Sequence, residues 1–175
     1  MSFKMRSKFV DASNILNQIA LDLIVSIEAR KHFKEMGDGL TKNVQVRIGL
    51  NRMCLFQIIL ALNKYMEFYG NYKDTIPAKF QDESRSLFQK IKQKEINKFR
   101  NKFVGHIINN DTKRPLSKEE YDHFANKILG KNPEAFLKWI YDAGNNSFPN
   151  TVVAIVETMR DEIMGANKID KSDFA

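Results

Sequence analysis

Glycine and proline are confined to a few places in this chain: eight Gly and four Pro in 175 residues, with long stretches between them that hold neither. Both residues interrupt helices, Gly through backbone entropy and Pro through a missing donor and a clash with the preceding turn. A many-stranded fold needs them at turn after turn, so their scarcity favours a few long helices. The hydrophobic pattern agrees. Between Asp11 or Ser13 and about Met36, the residues Ile15, Leu16, Ile19, Leu23, Ile27 and Phe33 recur at helical spacing, before Gly37 and Gly39 end the run. A second helix is expected from about Thr41 to Tyr69, closed by Gly70, with Val44, Ile48, Phe56, Ile59, Leu60 and Met66 facing a core. Its middle, "MCLFQIILAL", is apolar nearly all round, as a buried helix is.

After the connection "GNYKDTIP", Pro77 suits the first turn of a third helix. That helix carries two apolar sets: Phe80, Leu87, Phe88 and Ile91, then Ile96, Phe99, Phe103 and Ile107. At about 100° per residue the stripe jumps by roughly a third of a turn across "KQKE", which calls for a kink or two abutting helices. "NNDTKRPL" reads as a polar loop. Ser117 and Glu120 form a capping-box pattern that starts a short helix ending at Gly130. Another starts under Asn132 with Pro133 in its first turn and runs to Gly144. "NNSFPN" leads to a last helix from Thr151 to about Met164, stopped by Gly165, and the tail "ANKIDKSDFA" is expected to fray. No strand-like alternation, repeat or low-complexity segment occurs. The expected fold is all-α: one domain over residues 1–175, a bundle of five to six helices, with the first two as an antiparallel hairpin and the third packed across them.

Composition narrows the function. With 43% hydrophobic residues and thirteen Phe, the chain can bury a core. No uninterrupted apolar run reaches the roughly 18–20 residues that span a bilayer, the best being broken by Asn63 and Lys64. The N-terminus lacks the apolar core of a secretory signal. The single Cys54 allows neither a disulfide framework nor a cysteine metal site, and it reads as a small buried hydrophobe. These features suggest the reducing cytoplasm. The net charge of +7 is uneven: from Leu116 to Ala175 seven Lys/Arg face ten Asp/Glu, a net of −3, which leaves +10 on residues 1–115. Arg85 to Lys102 holds seven cations against Glu95 alone. A polyanion such as RNA is the natural partner of such a surface, and a solvated lysine-rich face is the plainer reading. No phosphate-binding glycine loop, nucleophile elbow, compact basic helix pair or metal-ligand spacing is present, so no cofactor and no metal are expected. His32 and His123 sit among charged neighbours and read as surface residues.

What remains is "NKFRNKFVGHIINN", Asn97 to Asn110, which carries Arg100, Asn101 and His106 in an apolar, lysine-rich run. On a helix Arg100 and His106 would point about 120° apart and lie about 9 Å apart along the axis, flanking Phe99, Phe103 and Ile107. "FRNKFVGHI" resembles the signature of the HEPN superfamily: an arginine, a polar residue after it, and a histidine separated from the arginine by four to six residues, here five. Runs of this kind are familiar in its abortive-infection branches. The resemblance implies a metal-independent endoribonuclease acting as a homodimer on single-stranded RNA. The two motifs would meet across the dimer cleft, in a phage-defence or toxin–antitoxin setting that admits an antitoxin protein as partner. Histidine titrates near neutrality and suits an acid/base role. Arginine offers a fork of donors to phosphate. Asn101 could hold either, and Lys98, Lys102 and Lys94 would steer the RNA backbone. Two other readings stay open. Arg100 could pair with a carboxylate such as Glu95 while His106 caps a helix end, or the same helix could bind RNA or protein without cutting.

Overall fold

The computed structural model describes residues 3–35, 44–101, 114 and 117–169. Among them are seven α-helices and no strand: α1 Phe3–Glu35, α2 Val44–Tyr72, α3 Gln81–Gln93, α4 Ile96–Phe99, α5 Lys118–Leu129, α6 Pro133–Ile140 and α7 Val152–Asn167. The all-α bundle is therefore as expected, with more helices than five or six because the third is divided.

The α1 helix is the centre of the fold, packed against α2 on one side and α7 on the other. Leu16, Ile19, Leu23 and Ile27 of α1 are buried with Ile58, Ile59, Leu62 and Tyr65 of α2 and Val152, Val156, Met159 and Ile163 of α7. Two ion pairs fix the hairpin's direction. Lys8 meets Asp74 at 2.6 Å and Lys64 meets Asp22 at 2.8 Å, so a position near the start of α1 lies beside the end of α2. At this junction Tyr65 donates or accepts a 2.7 Å hydrogen bond with Ser84, which ties α3 to α2. Burial raises the Tyr65 phenol well above its ordinary value, and the Ser84 bond only partly offsets this.

Several boundaries differ from expectation for physical reasons. The first helix begins at Phe3, where the apolar period is weak, because Lys8 reaches Asp74 and Phe9 packs on the core. Gly70 does not end α2; Phe68 and Tyr72 stack at 5.8 Å on its last turn, and the Thr75 hydroxyl donates to the Tyr72 carbonyl at 2.7 Å. Pro77 precedes a 3₁₀ turn, Ala78–Phe80, that leads into α3. The α6 helix stops at Ile140, where Tyr141 turns extended, and α7 passes through Gly165 to Asn167. Ile48, assigned to the core stripe, is 46% exposed because the first turns of α2 project past the packed region. The local signals did place the starts of α5, α6 and α7. Ser117 and Glu120 form both bonds of the capping box, and Asn132 and Thr151 accept from Ala135 and Ala154. Gly130 ends α5 with φ of 71°, a conformation costly for any residue with a Cβ.

Ser7–Phe33 and Gln45–Thr75 are each long and apolar enough to cross a membrane, with mean hydropathy of 1.2. Interruptions such as Asn63 and Lys64 break a run without lowering the average much. A core helix meets the same criterion, and here α1 turns apolar residues onto both α2 and α7.

Candidate functional site

The basic third helix breaks within "KQKE", at Lys94 and Glu95. Glu95 takes a left-handed conformation, φ 54° and ψ 33°, which costs a non-glycine residue about 1–2 kcal/mol. The surroundings hold it there. Its carboxylate meets Lys127 of α5 at 2.9 Å and Lys98 of the next turn at 3.3 Å. These partners, Lys127 first, keep the Glu95 carboxyl below the usual carboxylate range.

Beyond the break, Ile96 and Phe99 turn inward. Phe99 is fully buried, with its ring 5.8 Å from Phe56 of α2 and 5.9 Å from Tyr121 of α5. Tyr121 is covered in turn by the Arg52 guanidinium, 4.5 Å from the ring centre. With Phe99 fixed as a wedge, the alternate positions Asn97, Lys98, Arg100 and Asn101 must face outward, and all four are exposed. Arg100 and Asn101 form a wider, π-type turn, a feature that often marks functional positions.

Arg100 is 47% exposed, and its Nη1 lies 4.0 Å from Glu67 Oε1 on α2. That separation is the outer limit of an ion pair, and both groups are in contact with solvent, so the pairing is weak. Glu67 is itself oriented by Asn63, whose side-chain amide donates to Oε1 at 2.7 Å. Asn63 is only 5% exposed. It is a buried polar residue just past the apolar middle of α2, and only the tertiary structure connects it to Arg100. Glu95, the carboxylate suggested by sequence as a partner for Arg100, is instead engaged by two lysines.

The steering lysines divide. Lys98 is exposed. Lys94 turns inward: its ammonium donates to the Ile128 carbonyl at 2.7 Å and sits 4.8 Å from the Phe136 ring centre and 5.8 Å from that of Trp139. Burial pushes its pKa down. Lys94 thus closes the end of α5, and a phosphate would have to compete with that carbonyl. Lys102 and His106, together with Phe103 and Ile107, lie outside the described residues, as do Gly37, Gly39, Thr41, all of "NNDTKRPL" but Arg114, and residues 170–175. On α3 the outward cations are Arg85, Lys90 and Lys92, none of which forms an ion pair among the described residues.

No protein-family model matches the chain, and no curated protein does. A solved structure does share its fold. An integron cassette protein from the mobile metagenome of V. paracholerae, Vpc_cass2, is similar with a TM-score of 0.77 and 23% identity, covering 93% of this chain and 97% of that one. At this identity the likeness concerns the fold alone.

The remaining candidates behave as surface or core. His32 and His123 are exposed. Cys54 is buried, and burial raises its thiol pKa while nearby Arg30 pulls the other way. Among the described residues no group of three His, Cys, Asp or Glu side chains could hold a metal ion. Chemically, the described part of the site is an accessible guanidinium on a rigid aromatic base, beside an amide and a row of cations.

Proposed function

We propose that this chain is a HEPN-type endoribonuclease that works as a homodimer without a metal, in a phage-defence or toxin setting. The observation that carries the reading is Arg100. It sits in the motif run, backed by the buried Phe99 and facing solvent, and its only nearby carboxylate in the described residues is at the edge of ion-pair range. An arginine committed to structure would be bidentate with an acid or closed in; this one is open to a phosphate.

The reaction requires little machinery, because RNA carries its own nucleophile. His106 takes the proton of the 2′-hydroxyl, the 2′-oxygen bonds to phosphorus, and the bond from phosphorus to the 5′-oxygen breaks. The leaving oxygen receives a proton from the acid form of the partner motif's histidine or from water. Arg100 stabilises the charge on the phosphorane-like transition state, and Asn101 orients phosphate or imidazole. Purified protein is expected to cut single-stranded RNA in EDTA, and His106→Ala or Arg100→Ala to lower the rate by at least a hundredfold with unchanged helical content. Undiminished cutting by both variants would remove the motif from the mechanism.

A second reading has its own observation. Arg85, Lys90 and Lys92 extend the cationic surface along α3, beyond what a cleavage site needs. A non-catalytic module that holds RNA or an acidic protein by this face would bind RNA with steep salt dependence and leave it intact.

A further inference from the structure

A separate cavity lies where the end of α2, the turn at Lys73–Thr75 and the start of α3 meet. Its volume is about 290 Å³, and it is walled by Tyr69, Lys73, Asp74, Ile76, Gln81 and Arg85. That volume is at the small end of the range for small-molecule sites, about 300–1,000 Å³. The walls differ in chemistry. Tyr69 is an aromatic wall held in place by Phe88, the rings stacked at 4.6 Å with 24° between planes. Ile76 supplies a buried apolar base. Arg85 and Lys73 are exposed and form no ion pair among the described residues. The one acidic wall, Asp74, is occupied by Lys8, whose ammonium reaches both carboxylate oxygens at 2.9 and 2.6 Å. That bond is the main reason its pKa is lowered. The cavity therefore presents a net positive rim, a fixed ring and, at Gln81, an amide that can donate and accept.

We propose that this cavity binds a nucleotide unit, with its base against Tyr69 and its phosphate on Arg85 and Lys73. An aromatic face accepts any base, and the arginine fork with a second cation suits a phosphate group. The larger cavity beside Trp139, about 400 Å³, is lined by Asp82 and Glu83 with Lys90 as its one cation, and it would repel a phosphate. The nucleotide has two possible sources, a free nucleotide or one residue of an RNA strand, and the binding geometry is the same for both. The site goes beyond the ribonuclease reading, since it needs neither Arg100 nor His106.

The test is calorimetric titration of the full chain in EDTA with adenosine 5′-monophosphate, with ribose 5-phosphate, and with a 2′-O-methyl RNA dodecamer that cannot be cleaved. For a free nucleotide, the monophosphate binds at one saturable site, ribose 5-phosphate binds about tenfold more weakly for want of a base, and the double variant Lys73→Gln/Arg85→Gln weakens binding at least tenfold. For a strand residue, only the dodecamer binds, and the double variant again loses at least tenfold. In either case Arg100→Ala retains the Lys73/Arg85-dependent binding, which separates this site from the proposed cleavage motif. Both substituted side chains are exposed, and matching thermal melts confirm that the variant is folded. Absence of binding by both nucleotide probes, binding indifferent to Lys73 and Arg85, or saturable binding of the ribose phosphate as tight as that of the monophosphate overturns the proposal.

Discussion

Phe99 and Arg100 are adjacent in sequence and opposite in consequence. The apolar set marked Phe99 for burial, and the structure places it inside the protomer, between Phe56 and Tyr121. Removing its ring leaves a cavity under α4, so Phe99→Ala should cost about 3–5 kcal/mol in urea unfolding. Arg100→Ala should change stability by about 0.5 kcal/mol or less, because the group is half exposed and its one carboxylate contact among the described residues is long. A loss of several kcal/mol on Arg100→Ala would mean that the residue is structural, and would undercut its role at a phosphate. Lys94 teaches the reverse lesson. It counts among the seven cations of the basic run, yet its charge is directed at the Ile128 carbonyl and two rings. Sequence shows how many charges a helix has; which of them meet solvent depends on what packs beside it.

At the level of elements, the break between α3 and α4 is what turns Arg100 and Asn101 outward. A straight helix would carry Ile96 and Phe99 off the core face, and the left-handed Glu95 rotates them back. Glu95 earns this conformation through Lys127 and Lys98. Its folded pKa lies below the unfolded one, so the contribution is present above the ordinary carboxylate range and disappears as pH falls through the folded value. Glu95→Gln should therefore melt below the parent chain at neutral pH, and the gap should close in acid and shrink in high salt. A gap of the same size at pH well below about 4, the usual carboxylate value, would show that the ion pairs do not hold the break. The kink and the capping box at Ser117 could be read from sequence because both are local, set by residues within a turn or two. The ends of α2, α6 and α7 could not, because stacking of Phe68 on Tyr72 and the extended turn at Tyr141 decide them instead of the nearest glycine.

For the whole molecule, the bundle is a basic body around a central helix, with α2 and α7 on either side of α1. The proposed nuclease places two copies of Arg100 across a shared cleft, which ties activity to association. Cleavage per chain should then fall when the protein is diluted below its dimerisation constant, with sedimentation measured over the same range. Constant activity per chain in a demonstrably monomeric solution would refute the two-motif cleft while leaving RNA binding intact.

The sequence by itself determined the helical class, the central hairpin, the kink, three N-caps and a basic, motif-bearing segment. Each of these follows from periodicity, capping chemistry or charge count, all of which act over short stretches of chain. Only the tertiary structure decided that Phe99 is buried while Arg100 is open, that Glu67 and Asn63 stand beside that arginine, and that Lys94 is turned inward. It also decided that Tyr69, Lys73 and Arg85 share one cavity. Those relations join α2 to α3, α4 and α5, and depend on how helices cross, which no local pattern encodes.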